Sequence, residues 1–219
     1  MRISNRLKEI ASLVDDNTSI IDIGCDHALL DIFLVQNKKL NKIVASDNKK
    51  EPLNSALSNI KRYHVENKIK LSLNDGLKNV DDDIDTVIIS GMGGELIKDI
   101  LKVEYLKNIN TLILSPQSDI YALRTHLNKI GYKFIFEKII KDQKKYYIIM
   151  KLERGKEKLS EEELKYGPVL LKNKDDIFRE YYDSILKEKI NILDKVPINL
   201  KNAVMDEIDE LNELLDNFT

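Results

Sequence analysis

The sequence predicts an α/β protein with a mostly parallel, doubly wound sheet. Apolar runs typical of strands alternate with helical patterns from the amino terminus to about Leu152, which is the arrangement of strand–helix–strand units. Four consecutive apolar runs also end in Asp, Asn or Gly. Sheets of this class bind ligands outside the carboxyl ends of their strands. We therefore expect a ligand site where these runs end.

The first strand, near residues 19–23, leads into Gly24-Cys25-Asp26-His27 and then into a helical pattern from Leu29. A dinucleotide-binding loop requires Gly-x-Gly-x-x-Gly, but Asp26 and Leu29 occupy the second and third glycine positions. An anionic pyrophosphate would meet Asp26 unfavourably. The alternative is an ordinary strand-to-helix turn in which Asp26 caps the helix.

An acidic loop favours a ligand that lacks phosphate and carries positive charge. S-adenosylmethionine (SAM) has a sulfonium and an ammonium group and fits this description. We expect the carboxylate of Asp22 or Asp26 to face the ammonium group.

The next three strands end in residues that suit the rest of the same ligand. Asp47 follows a strand near 42–47 and lies 25 residues after Asp22, close to the usual place of a ribose-binding carboxylate. Asn74-Asp75-Gly76 follows a strand near 68–73 and could receive the adenine amino edge.

The fourth strand, near 84–90, ends in Ser90 and Gly91-Met92-Gly93-Gly94. Glycines let the backbone approach a reacting centre without side-chain obstruction. A fifth strand is predicted near 110–115. Together the four loops predict a SAM-dependent methyltransferase.

Four segments in this order resemble one known family, the bacterial tRNA (adenine(22)-N1)-methyltransferases. The most specific are Gly-Cys-Asp-His-Ala and Gly-Met-Gly-Gly. At residues 114–118 the sequence departs from the expected Gln-Pro-Asn type loop, which affects the role of Gln117 more than the resemblance. The segments are Asp22-Ile-Gly-Cys-Asp-His-Ala28, Ala45-Ser-Asp-Asn48, Asn74-Asp-Gly76 and Ser90-Gly-Met-Gly-Gly94.

The resemblance implies a Rossmann-like, seven-stranded class I methyltransferase sheet whose last strand lies antiparallel between the fifth and sixth. It implies SAM as cofactor and N1 of adenine 22 in tRNA as acceptor. The cofactor-binding residues it implies are Asp22, Gly24, Cys25, Asp26, His27, Asp47, Asn48, Asn74, Asp75, Gly76, Ser90, Gly91 and Met92.

The implied reaction needs positioning more than a strong base, because N1 of adenine carries a lone pair at neutral pH. Methylation makes the ring cationic and acidifies its amine, so a nearby acceptor assists. Asp26 and His27 are the candidate acceptors, with the carbonyls of Ser90 and Gly91 as a second set. Met92 would border the methyl-transfer channel.

Two residues of this region have a second interpretation. Asp31 follows His27 by one helical turn and could orient its ring, with capping or solvent exposure as alternatives. Cys25 could be a reactive thiol, but a small residue packed in the turn is the preferred interpretation.

A tRNA partner requires a local basic face, because the net charge of the chain is −2. Arg2, Arg6 and Lys8 on the first helix are candidates, although each could be an ordinary solvated charge. Gln117 and Tyr147 are candidate substrate contacts. Tyr147 could stack on an extruded base or belong to the core.

The remaining composition excludes several classes. A single cysteine excludes an internal disulfide framework. The amino terminus resembles neither a signal peptide nor an anchor, and no apolar run predicts a membrane span. The three histidines lack metal-ligand spacing. We expect a cytoplasmic, monomeric enzyme without a metal.

The carboxyl-terminal part changes character. We predict a methyltransferase domain over residues 1–153, ending in two antiparallel strands, and a helical hairpin domain over 154–219. Long helices are expected near 170–195 and 198–217. The second carries a coiled-coil seam formed by Val204, Ile208, Leu211 and Leu215.

Two other function classes remain open. A methyltransferase acting on a small molecule or a protein would share these loops. A non-catalytic SAM-fold module that binds RNA or protein would use the hairpin without methyl transfer.

Overall fold

The computed structural model describes residues 1–217, and its centre is one seven-stranded sheet. The strands are β1 (Ser19–Ile23), β2 (Lys42–Asp47), β3 (Lys70–Leu73), β4 (Thr86–Ser90), β5 (Thr111–Ser115), β6 (Tyr132–Asp142) and β7 (Lys145–Arg154). Nine α-helices accompany them within the described residues: α1 (Asn5–Ser12), α2 (Leu29–Asn37), α3 (Lys50–Arg62), α4 (Gly94–Ile100), α5 (Ile120–Lys129), α6 (Glu161–Tyr166), α7 (Pro168–Asn173), α8 (Asp176–Ile192) and α9 (Ile198–Asp216).

The strand order is β3-β2-β1-β4-β5-β7-β6. Strands β1 to β5 are parallel, and β7 pairs antiparallel with both β5 and β6. The predicted class I methyltransferase sheet, with its last strand inserted between the fifth and sixth, is confirmed. The order reverses beside β1, which is where doubly wound sheets bind ligands.

The central strands are buried on both faces, which explains their continuous apolar sequences. Ile20 and Ile21 of β1, and Val87 and Ile88 of β4, are at most 1% exposed. The strand β3 at the sheet edge is short and partly exposed. Burial on both faces fixes β1 and β4, so their carboxyl ends form a rigid base for the loops that follow.

A buried ion pair joins helix α5 to strand β6. Arg124 of α5 donates from Nε to Glu137 Oε1 of β6 at 2.9 Å, and both side chains are fully buried. The same arginine donates to the carbonyl of Lys165, and Glu137 accepts the N–H of Val169. The pair therefore holds the segment after α6 against the sheet.

The chain divides into two compact units, Met1–Val169 and Leu170–Thr219. Helix α6 begins with the predicted capping box of Ser160 and Glu163 and belongs to the first unit. The predicted domain boundary at 153/154 stays a prediction, and residues 218 and 219 lie outside the described part of the chain.

The second unit is an antiparallel helical hairpin. Lys174 before α8 donates to the carbonyl of Asn217 at the end of α9, and Lys189 pairs with Glu207. Its packed face includes Leu211 and Leu214, which are buried. The predicted seam residues Val204, Ile208 and Leu215 are half-buried on this face.

The single helix predicted over 170–195 is wrong. The chain breaks at Lys174, whose φ is 36°, and Asp175 starts α8 by accepting the N–H of Phe178 at 2.8 Å. A carboxylate that caps a new helix favours this interruption. Phe178 and Tyr182 are buried, and their ring centroids lie 4.6 Å apart, so these aromatic residues pack against each other.

Candidate active site

The loop between β1 and α2 is fixed to the end of β2. The N–H groups of Gly24 and Cys25 both donate to the carbonyl of Ser46, at 2.8 and 3.1 Å. Gly24 has φ +75°, and a Cβ at this position would overlap the Met92 methyl group. The glycine therefore lets the first and fourth loops approach each other closely.

Two non-glycine residues of this loop have a left-handed backbone, Asp26 at φ 49° and Ala28 at φ 53°. Such conformations are costly and cluster at functional sites. Ala28 precedes α2, and no side chain caps this helix, so the alternative interpretation of Asp26 as the cap is wrong. The exposed side chains of Asp26 and His27 lie 3.5 Å apart.

The loop after β2 presents an oriented carboxylate. Asp47 Oδ1 accepts the N–H of Lys49 at 2.9 Å. This bond fixes the direction of the side chain and leaves the second oxygen for another donor. Asp47 and Asn48 therefore sit beside the first loop, as the parallel pairing of β1 and β2 requires.

The loop after β4 is held by β5. Gly91 donates its N–H to Ser115 at 3.1 Å, and Gln117 donates its N–H to the carbonyl of Met92 at 2.9 Å. Gly91 has φ +82°, and a Cβ there would lie 3.6 Å from an Arg6 guanidinium nitrogen and 3.7 Å from Gln117 Nε2. Two side chains from distant parts of the sequence thus converge above this glycine.

These loops enclose a cavity of about 480 Å³. Most predicted cofactor and catalytic residues line it, together with two of the predicted RNA contacts. These are Asp22, Gly24, Cys25, Asp26, His27, Asp47, Asn48, Ser90, Gly91, Met92, Arg6 and Gln117. The sequence interpretation missed five further lining residues, Leu7, Leu29, Leu30, Lys49 and Pro52.

The sequence only weakly indicates that these five residues line the cavity. Leu29 and Leu30 belong to an apolar helical pattern that predicts core packing, and Leu7 belongs to the first helix. Lys49 and Pro52 directly follow the predicted ribose-binding segment, so their position alone could have indicated them.

The turn after β3 does not line the cavity. The Asn74 amide donates to the carbonyl of Gly76 at 3.3 Å and also to that of Lys78, and Asp75 pairs with Lys78 at 2.5 Å. A Cβ on Gly76 would lie 3.3 Å from Ile100. These side chains serve their own turn, and their contact with adenine stays a prediction.

Of the three basic residues predicted to contact RNA, Arg6 lines the cavity, whereas Arg2 and Lys8 do not. The Arg6 guanidinium lies over the Tyr147 ring at 5.0 Å, and the Arg6 N–H donates to Asp142 at 3.3 Å. Helix α1 is thereby attached to the last two strands beside the cavity. Arg2 and Lys8 are exposed on or beside α1 and do not line the cavity.

Two residues at the base of the cavity, Asp22 and Cys25, have raised pKa values. Burial raises the pKa of Asp22 to about 7, against a hydrogen bond from Asp31 and the attraction of Arg6. Burial and the nearby carboxylates Asp31, Asp22 and Asp47 raise the pKa of the Cys25 thiol. A raised thiol pKa disfavours the thiolate, which supports a packing role for Cys25.

Asp31 does not contact His27 as the sequence interpretation suggested. It is 0% exposed, which excludes solvent exposure, and its carboxyl oxygens accept no backbone N–H of α2, so the capping alternative is also wrong. The amide of Asn59 on α3 instead fixes the His27 backbone by donating to its carbonyl at 2.9 Å.

Within residues 1–217, no group of three or more potential ligands is arranged to hold a metal ion. The same residues contain no helix long and apolar enough to span a membrane.

Comparison with known proteins agrees with this geometry. The methyltransferase domain family matches residues 3–150. The Bacillus subtilis tRNA (adenine(22)-N(1))-methyltransferase is 27% identical over 205 residues, or 90% of this chain and 86% of the relative.

Two solved structures are similar over nearly the whole chain. Streptococcus pneumoniae Sp1610, described as a candidate tRNA (m1A22) methyltransferase and solved with SAM, has 30% identity and a TM-score of 0.91, covering 98% of this chain and 100% of that one. M. capricolum TrmK with S-adenosyl-homocysteine has 28% identity and a TM-score of 0.89, covering 100% of both chains.

Proposed function

This chain belongs to the tRNA (adenine(22)-N1)-methyltransferase family, and we propose that it transfers the methyl group of SAM to N1 of adenine 22 in tRNA. The observation that carries the proposal is the acidic, glycine-lined cavity at the carboxyl ends of β1, β2 and β4. Relatives that match this chain over almost its full length were solved with SAM or its demethylated product.

We assign the cofactor to the loops after β1 and β2. Asp47 would accept hydrogen bonds from the ribose hydroxyls, because its carboxylate is already oriented by Lys49. Asp22 is the better partner for the ammonium group, since it lies 5% exposed at the base of the cavity, whereas Asp26 is exposed. A charge-assisted hydrogen bond is strongest where water is excluded.

The bound cofactor supplies an electrophilic methyl group. The protein must align adenine N1 with that methyl group and exclude water, which accounts for most of the catalytic demand. Gly91 offers no side chain that would block the base, and Met92 lies against Gly24 between the two loops. We propose that Met92 and the Ser90 and Gly91 carbonyls border the transfer channel.

The methylated ring is cationic, so its exocyclic amine becomes more acidic. The Ser90 and Gly91 carbonyls can accept a hydrogen bond from that amine. Asp26 and His27 form an exposed acid–base pair on the opposite loop and are the proposed acceptors of its proton.

N1 lies on the Watson–Crick edge, so the base must be unpaired or flipped to react. Arg6 and Gln117 converge on Gly91 and are suited to hold the extruded nucleotide. Tyr147 supports the Arg6 guanidinium from below, and Arg2 and Lys8 on the same segment are proposed phosphate contacts.

The test incubates purified protein with labelled SAM and unmodified tRNA, and maps the product by reverse transcription, which stops at N1-methyladenine. We expect label transfer and a stop at position 22. A transcript with guanine at position 22 serves as the substrate control. A stop at another adenine would overturn the site assignment.

Two substitutions, one in the cavity and one on the surface, test whether methyl transfer depends on the cavity. Asp47→Ala should abolish transfer, whereas Asp99→Ala, an exposed aspartate on α4, should leave it unchanged. Tight SAM binding without transfer to tRNA would contradict the tRNA assignment and favour another acceptor or a binding module.

We also propose that the enzyme acts in the cytoplasm, where its tRNA substrate is found, and that it works as a monomer. Light scattering coupled to size exclusion tests the second point. A mass twice that of the 25.3 kDa chain would contradict it.

A further inference from the structure

One buried carboxyl group beneath the cavity lacks a hydrogen-bond donor within residues 1–217. Asp31, in the first turn of α2, is 0% exposed. Neither of its carboxyl oxygens has a hydrogen-bond donor among the described residues. Its neighbour is another acid, Asp22, which is 5% exposed and lines the cavity. Asp31 itself does not line the cavity.

Two adjacent buried carboxyl groups cannot both be ionised without a large electrostatic cost. A shared proton removes this cost, because the protonated group becomes the missing donor and the ionised group accepts. A side-chain hydrogen bond between the two acids lowers the pKa of Asp22 and raises that of Asp31, which is the direction expected when Asp31 is the donor. A protonated Asp31 needs no external donor, because its own O–H is the donor of the hydrogen bond to Asp22.

The surroundings decide which acid keeps the proton. Asp22 is attracted by the Arg6 guanidinium on α1 and repelled by Asp47 on β2. Asp31 is deeper, and burial together with Asp22 raises its pKa well above the usual range. The Cys25 thiol faces both acids and stays neutral, because its pKa is also raised.

We propose that Asp31 is a positioning residue that remains protonated and donates its O–H to Asp22, so that Asp22 carries the negative charge that receives the cofactor's ammonium group. The inference rests on the proposed function, since it requires SAM to bind in this cavity. No covalent bond changes, and the proton stays on Asp31.

Cofactor affinity should consequently depend on pH. As pH rises through the pKa of Asp22, which is about 7, Asp22 becomes anionic and attracts the ammonium group more strongly. A bound cation lowers the pKa of Asp22 in return, so binding at pH 6 should release a proton.

The binding test uses isothermal titration calorimetry with S-adenosylhomocysteine (SAH), which keeps the ammonium group and lacks the reactive methyl group. For the wild type, we expect affinity to rise about tenfold from pH 6 to pH 8. Asp31→Asn keeps a donor and should bind within about twofold of wild type at pH 8. Asp31→Ala removes the donor and should bind about tenfold more weakly at pH 7, with its pH midpoint moved upward.

Two outcomes would overturn the proposal. If Asp31→Asn bound as weakly as Asp31→Ala, the ionised form of Asp31 would be required. If Asp31→Ala bound as wild type does across the pH range, Asp31 would not position Asp22. Asp99→Asn is the matched surface control.

A second measurement does not depend on the cofactor. Infrared difference spectra at pH 8 should show a protonated-carboxyl C=O band in wild type and in Asp99→Asn that Asp31→Asn lacks. Absence of this band from wild type would overturn the proposal. Failure of SAH to bind the folded wild-type protein would instead overturn the proposed function while the band still reports on Asp31.

Discussion

Two acids are equally buried in this protein, and the chain neutralises them in opposite ways. Glu137 faces Arg124 and accepts the backbone N–H of Val169, in a closed ion pair. Asp31 has no cation or N–H donor on its carboxyl oxygens among the described residues, and its neighbour is another acid, Asp22, which lines an open cavity. The first arrangement serves stability, whereas the second leaves negative charge available to a ligand. Burial of an acid therefore does not by itself indicate its role.

The largest effect is expected at the closed pair. Arg124→Leu leaves Glu137 buried without its cation and should lower the free energy of unfolding by about 3–5 kcal/mol. Urea denaturation measures this loss. The double variant Arg124→Leu/Glu137→Leu should recover part of it, because no buried charge remains, although the Lys165 carbonyl and the Val169 N–H lose their side-chain partners. A single variant as stable as wild type would show that the pair is dispensable.

At the Asp22–Asp31 pair, Asp22→Asn should weaken SAM binding without lowering thermal stability. The variant cannot offer a carboxylate to the ammonium group, so SAM affinity should fall by roughly ten- to a hundredfold. Its thermal stability should not fall, because a buried ionised carboxylate is removed and the Asn amide oxygen can still accept the Asp31 O–H. Calorimetry and thermal melts on the same sample test both statements. Unchanged affinity would assign the ammonium group to Asp26 instead.

Asp31→Asn should stabilise the protein in a pH-dependent way. The folded-state pKa of Asp31 is raised above the unfolded value, so the folded wild type binds more protons than the unfolded chain above pH 4. Wild-type stability then falls as pH rises from about 4 towards neutrality, and the variant lacks this contribution. We expect its Tm to exceed that of wild type by about 2–4 °C at pH 7 and to match it near pH 4. An equal difference at both pH values would contradict the raised pKa.

The smallest effect is expected at a partly exposed pair. Lys138 of β6 lies 3.0 Å from Glu9 of α1, and their side chains are 44% and 22% exposed. Glu9→Gln should change the free energy of unfolding by less than about 1 kcal/mol, because solvent screens such pairs. Urea denaturation in low and high salt would detect a larger contribution.

Sequence patterns predicted the sheet well because its strands carry strong local signals. The bounds of β1 and β2 match the prediction, since continuous apolar runs end abruptly at polar residues there. The break at Lys174 was missed, although Asp175 precedes the helix that it caps. One short polar interruption is a weaker signal than the helical pattern on either side of it.

The cavity was predicted where loops follow central strands and missed where contacts come from distant segments. Asp22, Asp47 and Gly91 follow adjacent strands, so topology brings them together. The burial of Asp31 could not be predicted, because α2 is apolar on most of its faces and its periodicity does not indicate which side is innermost. Likewise, the pairing of Arg6 with Tyr147 joins residues at opposite ends of the first unit.

The insertion of β7 between β5 and β6 has a consequence for synthesis on the ribosome. The last strand in the sequence occupies an inner position, so β6 has no place in the sheet until β7 has been made. A nascent chain that ends before Lys145 exposes the edge of β5, and open edges promote aggregation. The β6–β7 hairpin closes through a short local turn and can form quickly once Arg154 has emerged. Completion of the sheet during translation therefore waits for this hairpin.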